Sequence, residues 1–278
     1  MIYLKPNEFF VSSEIPIATE LRSPQEPYPE HSHAFEELML VSGGSGTHVI
    51  NDIPMNLSKN YVCFIKREDR HLFENVEGLH LSNVLFDQSK MAVDSSIAKY
   101  IPDTDQQSRG WFINDQSSET ANRLITRLDS EIGTDTFESK IVCQSLFNLL
   151  LVELSRGRIY SLEGESDEDK VLSVMGYLHQ NYAEQFNLQD LAEQAGISTK
   201  QLSKILSRLT GMSYPNYLNH IRMSKALEAL KYSDRSITDI AFDVGYQDSN
   251  YFSSKFKKVF NATPREVRLG TEIRNQNV

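Results

Sequence analysis

The chain has 278 residues, 40% of them apolar and 10% aromatic, which is more than one hydrophobic core usually holds, so two domains are expected. No run approaches the ~18 consecutive apolar residues of a membrane-spanning helix, and the first ten residues lack the layout of a signal peptide, which predicts a cytoplasmic protein. Its net charge of −10 argues against nucleic acid only until it is divided: residues 1–165 hold 14 basic and 25 acidic side chains, whereas residues 200–268 hold 12 basic and 6 acidic.

Residues 15–86 read as short strands at 37–41, 47–50, 61–65 and 79–86. Turn signals at Gly43-Gly44-Ser45-Gly46 and Asn51-Asp52-Ile53-Pro54 separate them, a pattern that suggests a small β-sandwich or barrel. Cys63 and Cys143 are too few for a disulfide framework or a cysteine zinc site and suit core positions. Helical spacing follows at 118–132 (Leu124, Leu128, Ile132) and 136–154 (Ile141, Leu149, Leu150, Leu154); these helices pack on the strands, with dimerisation through any exposed remainder. The lone Trp111 offers a flat face for a sugar ring or a core filler.

At 157–169 the text turns polar and acidic without periodicity, which marks a linker between an N-terminal domain (1–156) and a C-terminal one (170–278). Beyond it the pattern is helical, with a long helix expected over 214–232. Asn187-Leu-Gln-Asp-Leu-Ala-Glu-Gln-Ala-Gly196 recurs as Ser236-Ile-Thr-Asp-Ile-Ala-Phe-Asp-Val-Gly245, forty-nine positions on. A helix, a glycine turn and a second helix, repeated, signal two helix-turn-helix units at about 187–209 and 236–260. Ala192 and Ala241 permit close helix crossing, and Gly196 and Gly245 permit a positive backbone angle. Ser198 with Gln201, and Thr263 with Glu266, have the spacing of capping boxes.

In such a motif the N-terminal part of the second helix faces the major groove. The candidates for DNA contact are Ser198, Thr199, Lys200, Gln201 and Lys204 in the first unit, and Gln247, Asp248, Ser249, Asn250, Ser254, Lys255 and Lys258 in the second. Lys200 or Lys204 suits guanine, and Gln201 or Asn250 suits adenine. Lys255, Lys257, Lys258, Arg208, Arg222 and Arg268 suit phosphates.

Asp239-Ile-Ala-Phe-Asp-Val-Gly245-Tyr-Gln-Asp-Ser-Asn250-Tyr-Phe-Ser-Ser-Lys255-Phe-Lys-Lys258-Val-Phe-Asn-Ala-Thr263-Pro264 closely resembles the signature of the AraC/XylS family of bacterial regulators. The resemblance extends through Tyr28-Pro-Glu-His31-Ser-His33-Ala-Phe-Glu-Glu37-Leu38, His48-Val-Ile-Asn51, Arg70-His71-Leu-Phe-Glu-Asn75 and Leu81-Ser-Asn83-Val-Leu85, which look like the L-rhamnose operon activators of that family. It implies an α+β, two-domain fold: an N-terminal cupin-like β-barrel that senses a sugar and dimerises, and an all-α domain whose two units enter successive major grooves. A double-stranded DNA operator, a small sugar effector and a homodimer partner are implied with it. So are contacts from Asp239 and Asp248 to the sigma subunit of RNA polymerase, although either aspartate also suits a helix cap. Lys200 and Lys204 stand where those activators tend to have arginine, which alters bidentate guanine contacts.

For the effector, His31, His33 and Glu37 share one strand face, and His71 and Asn83 are the further candidates. Three readings stay open for this set. It hydrogen-bonds sugar hydroxyls; or His31, His33, Glu37 and His71 hold a divalent transition metal, as in a cupin enzyme fused to a DNA-binding module; or the histidines are structural. Lys66-Arg67-Glu68-Asp69 replaces the proline and glycine that cupins carry before this histidine. The leading expectation is a sugar-responsive transcription activator, not an enzyme, with no required cofactor; a regulator of the same family sensing another small molecule is the alternative.

Overall fold

A computed structural model describes residues 2–12, 14–91, 95–101, 109–134, 136–159 and 167–270. Among them, one eight-stranded sheet is followed by helices. The strands are β1 (Ile2–Leu4), β2 (Ile17–Arg22), β3 (Tyr28–His33), β4 (Glu36–Ile50), β5 (Ile53–Ser58), β6 (Tyr61–Ile65), β7 (His71–Phe86) and β8 (Gly110–Phe112). A short helix α1 (Ser95–Ala98) precedes β8, and α2 (Asp115–Ile132) and α3 (Phe137–Arg156) complete the N-terminal part. The linker expected at 157–169 falls mostly on residues 160–166, which lie outside the described residues.

The sheet does not close. Its order runs β1-β3-β7-β4-β6-β8, with β2 added to β7 and β5 added to β4, so the barrel expected from the sequence is an open, branched sheet among the described residues. Branching follows from strand length. β4 and β7 pair along nearly their whole lengths, and each takes different second partners at its two ends.

Gly43 to Gly46 does not form the expected turn. It lies inside β4, where the ladder with β7 shifts register three times between Val41 and Thr47. Gly44 takes φ +73°, and a Cβ there would overlap the Gly78 backbone, so glycine serves a bulge that bends the long strand. Asn51 (φ 50°) and Asp52 (φ 67°) make the two-residue turn of the β4–β5 hairpin, both in the left-handed region that this tight connection needs.

Strand alternation sorts the core. Leu38, Leu40, Val62, Phe64, Val84 and Phe86 face α2 and α3, meeting Ile125, Leu128, Phe147 and Leu151. Met39, Val41, Cys63, Ile65 and Leu81 point to the other face, in the cluster that continues into the C-terminal helices. Trp111 is one of the helix-side core residues: its Nε1 donates to the Leu154 carbonyl at 3.1 Å, and Arg158 covers its ring at 4.1 Å. It is therefore not available to stack on a sugar.

The C-terminal part comprises α4 (Asp167–Gln180), α5 (Leu188–Gln194), α6 (Thr199–Thr210), α7 (Tyr214–Tyr232), α8 (Ile237–Asp243), α9 (Ser249–Phe260) and α10 (Pro264–Arg268). Helix α7 serves two cores. Its first half (Tyr214, Tyr217, Leu218, Ile221) packs with α4, α5 and α6, and its second half (Met223, Ala226, Leu227, Leu230) packs with Phe252 and Phe256 of α9. Each fully buried side chain of this kind contributes roughly 1.5–3 kcal/mol.

The hairpin tip of the sheet docks on the same helix. Lys231 donates to Asp52 Oδ2 at 2.6 Å and to the Asn51 carbonyl at 3.0 Å, and Ser224 Oγ donates to the Pro54 carbonyl at 2.7 Å. Arg70, which also meets Glu30 at 2.9 Å, reaches Asp52 at 3.1 Å. Burial raises the Asp52 carboxyl, but Lys231 and Arg70 outweigh it and hold it below the ordinary carboxylate value.

Gly196 (φ +63°) and Gly245 (φ +90°) both end the first helix of a unit in the left-handed region, as the repeat requires. Their surroundings differ. A Cβ on Gly245 would stand 2.5 Å from the Ala183 carbonyl oxygen, whereas on Gly196 it meets nothing nearer than Lys170 Nζ at 3.9 Å. Gly196→Ala should therefore cost about 1 kcal/mol, the backbone penalty alone. Gly245→Ala should cost clearly more, read as a larger fall in the urea midpoint at unchanged m-value.

Candidate DNA and effector sites

Helix α6 begins where Ser198 accepts the Gln201 amide and Gln201 Oε1 accepts the Ser198 N–H at 3.1 Å, the reciprocal capping box. Thr199, Lys200 and Lys204 stand exposed on its outer face, while Leu202, Leu206 and Leu209 are buried beneath. Gln201 is less free than the sequence suggested. Its carboxamide holds the cap and also donates to Asp167 Oδ2 at 2.7 Å, so it does not project toward a base in this conformation.

In α9, Asp248 is the N-cap, its Oδ1 accepting the Tyr251 N–H at 2.6 Å. Gln247, Asp248, Asn250, Ser254 and Lys258 are exposed, and Ser249 is half-buried. Lys255, also half-buried, lies over the Tyr251 ring at 5.3 Å. Tyr251 itself is 56% exposed beside these polar groups and is a candidate for contact that sequence reasoning missed. Its signal was an aromatic on the polar face of an amphipathic helix.

Two expected phosphate contacts are otherwise engaged. Arg222 is buried, donating to the carbonyls of Tyr182 and Glu184 at 2.7 Å each, and it ties the α4–α5 loop to α7. Burial lowers its basicity. Arg208 pairs with Glu168 at 2.5 Å. Asp239 is exposed, but its Oδ2 accepts from the cap hydroxyl of Ser236 at 2.7 Å.

A cavity of about 210 Å³ opens in the sheet, below the roughly 300–1,000 Å³ of drug-sized sites and scaled for one small ring. His31, His33, Glu37, His71 and Asn83 all line it. Sequence reasoning missed Glu20, Arg22 and Gln25, which come from β2 and the loop after it and carry no motif, and Tyr28 of β3, which was quoted only as part of a matching stretch. Asn83 Oδ1 is buried without a hydrogen-bond partner, as are the Nε2 atoms of His33 and His71.

The outer nitrogens are occupied. His31 Nδ1 meets the Pro29 carbonyl at 3.0 Å, His33 Nδ1 meets that of Phe35 at 2.7 Å, and His71 Nδ1 meets His48 Nε2 at 2.9 Å. Burial depresses His31 and holds His71 well below the usual imidazole value. It also pushes His48, which is fully buried behind His71 and stacked on Phe73, down to about 3. For His33 the same burial is outweighed by Glu37, 3.3 Å away, which raises it. The loop before His71 closes through Asp69, which accepts from the Lys66 N–H at 2.8 Å and from Asn51 at 2.7 Å, so 66–69 forms a turn without proline or glycine.

A larger cavity, about 560 Å³, lies between the sheet and α7, lined by Asn51, Pro54, Tyr61, His220, Lys225 and Glu228 among others.

Residues 16–136 match the AraC-like ligand binding domain, and residues 191–270 match a helix-turn-helix domain. The chain is 36% identical over 274 residues to the HTH-type transcriptional activator RhaS of Yersinia pestis (strain Pestoides F), covering 96% of this chain and 99% of that protein. Against the HTH-type transcriptional activator RhaS of Pectobacterium atrosepticum it is 36% identical over 272 residues, covering 96% and 97%. Two capped helix pairs behind a ligand-binding sheet, matched along nearly the whole length of such relatives, place this chain in the AraC-type family of helix-turn-helix transcriptional regulators.

Proposed function

We propose that the chain is a sugar-responsive activator of transcription, with the effector held in the 210 Å³ cavity by His31, His33, Glu37, His71 and Asn83. The observation that carries this reading is the docking of the β4–β5 hairpin on α7, the helix shared by both DNA-reading units. β4 carries Glu37 at one end and that hairpin at the other, so a ligand that shifts the strand biases how the two units present themselves. L-rhamnose is the effector to test first, given the resemblance to the L-rhamnose operon activators. The setting for such a regulator is the bacterial cytoplasm; no helix among the described residues is long and apolar enough to cross a membrane.

A second reading puts the effector in the 560 Å³ cavity between the domains, which is the larger of the two and carries Lys66, Arg109 and Lys225. Thermal unfolding against a panel of monosaccharides separates them. L-rhamnose should raise the midpoint. The rise should vanish in Asn83→Ala under the first reading and in Lys225→Ala under the second, and no rise with any sugar would remove the sensing half of the proposal.

Fragments selected from random DNA should contain two conserved blocks about 10–10.5 base pairs apart per chain. Lys200→Ala should relax one position of a block at a cost of about 1–3 kcal/mol, whereas Lys258→Ala should weaken all sequences alike and reduce the salt slope by about 1.

Asp239 and Asp248 are the proposed contacts to the sigma subunit. Asparagine caps a helix about as well as aspartate, so Asp248→Asn separates the two roles. Stability and DNA affinity should hold while transcription in a purified system falls severalfold; unchanged transcription would leave Asp248 as a cap alone.

Homodimerisation is assigned to α3. Leu150 and Leu154 are buried against the sheet, but Phe137, Ile141 and Leu149 are 72%, 55% and 51% exposed at four- and eight-residue intervals along the helix. Leu149→Glu should give a folded monomer by analytical ultracentrifugation, and the parent chain should sediment as a dimer.

A further inference from the structure

The polar cluster of the sheet cavity has an arrangement that hydrogen bonding to a sugar does not require. Glu37 Oε2 stands 3.3 Å from His33 Nε2 and 4.0 Å from His71 Nε2. One donor atom from each of the three residues lies within 4.8 Å of the others, and all three side chains are buried. Neither Nε2 makes a hydrogen bond.

The opposite ring nitrogens bear on what these Nε2 atoms can be. His33 Nδ1 faces the Phe35 carbonyl at 2.7 Å, an acceptor, so Nδ1 carries the proton and a neutral His33 offers Glu37 a lone pair. His71 Nδ1 faces His48 Nε2 at 2.9 Å, and in the tautomer in which His71 is the donor its Nε2 is bare as well. Two imidazole lone pairs and a carboxylate then converge, an arrangement that a cation at their centre stabilises. A proton on His33 would answer His33 and Glu37 but leave His71 Nε2, 4.0 Å from the carboxylate, unsatisfied. A single ion answers all three. Donors about 2.0–2.2 Å from a tetrahedral ion stand about 3.3–3.6 Å apart; the 3.3 Å spacing meets this already and the 4.0 Å spacing has to contract by about half an ångström.

We propose that His33, Glu37 and His71 form a binding site for one divalent first-row transition ion of the zinc, cobalt or nickel class. Imidazole donors favour these over magnesium or calcium. His48 is the outer partner that fixes the His71 ring, as the Phe35 carbonyl fixes that of His33; ligating histidines characteristically have the far nitrogen held in this way. His31 stands beside the group, its ring centroid 3.9 Å from that of His71, but outside the set of three donors. Because the three donors line the 210 Å³ cavity, the remaining coordination positions face a space open to a small molecule. Metal binding here does not depend on which effector the protein senses.

The test uses the full-length protein stripped with a chelator, exchanged into metal-free buffer and titrated separately with Co²⁺ and Zn²⁺. After gel filtration, elemental analysis should find one equivalent per chain. Co²⁺ should give a visible absorption band that Zn²⁺ displaces, and the thermal midpoint should rise with free metal. Glu37→Gln and His71→Gln should each lower retained metal at least tenfold, and His80→Ala, which lies outside the cavity, should retain the full equivalent. If either ligand variant fails to fold by circular dichroism, the Co²⁺-loaded parent protein decides alone: two paramagnetically shifted imidazole N–H proton signals are expected, from His33 and His71. Retention of less than a tenth of an equivalent by the parent protein, undiminished retention in both folded ligand variants, or the absence of shifted imidazole signals would overturn the site.

Discussion

Pairing of β4 with β7 over most of their lengths is the constraint on which the remaining arrangement rests. It sets Glu37 opposite Leu85, and both line the sheet cavity together with His71, Phe73 and Asn83 of β7, so residues far apart in sequence share one cavity. The same two strands carry the helix-facing core on their other side. Such length would run straight and leave the faces poorly covered. The glycine-rich bulge at Gly43 to Gly46 bends the ladder, and the hairpin beyond it reaches α7.

A second dependence runs through buried cations. Arg222 looks like a phosphate anchor by residue type, yet it holds two backbone carbonyls of the α4–α5 loop and lies 5.9 Å from the centroid of the Tyr246 ring. Carbonyls at a loop that interrupts two helices need donors, and a guanidinium satisfies two at once. Part of the basic surplus of the C-terminal part thus serves architecture. Lys231, tied to Asp52, belongs to that part, whereas Lys200, Lys204 and Lys258 are exposed on the face proposed for DNA.

Helices were largely legible in the sequence because their signals are local: apolar spacing, the caps at Ser198 and Thr263, and the turn glycines all concern neighbours within a few residues. The two-residue turn at Asn51 and Asp52 was legible for the same reason. Gly43 to Gly46 misled because glycine serves a bulge as readily as a turn, and only the partner strand decides between them. His31 and His33 could be grouped through strand alternation, but Glu37, expected on the same strand, lies on β4 beyond the bend at 34–35, and His71 joined them by resemblance. His48, quoted only within a matching stretch, received no role because that role comes from a cross-strand hydrogen bond. The employment of Gln201 at a cap and toward Asp167 was equally invisible, since it requires α4 and α6 to be side by side.

The α4–α5 loop grips the second helix pair at several points: Gln185 donates to the Gly245 carbonyl at 2.8 Å, Ala183 leaves no room for a side chain on Gly245, and Arg222 binds the loop from α7. The two reading helices are thereby fixed to each other as well as to α7. A rigid pair of this kind fits a duplex in one helical phase. Each base pair inserted between its two contact blocks would turn the second block by about 35° around the DNA axis, so the operator should tolerate changes of base far better than changes of length.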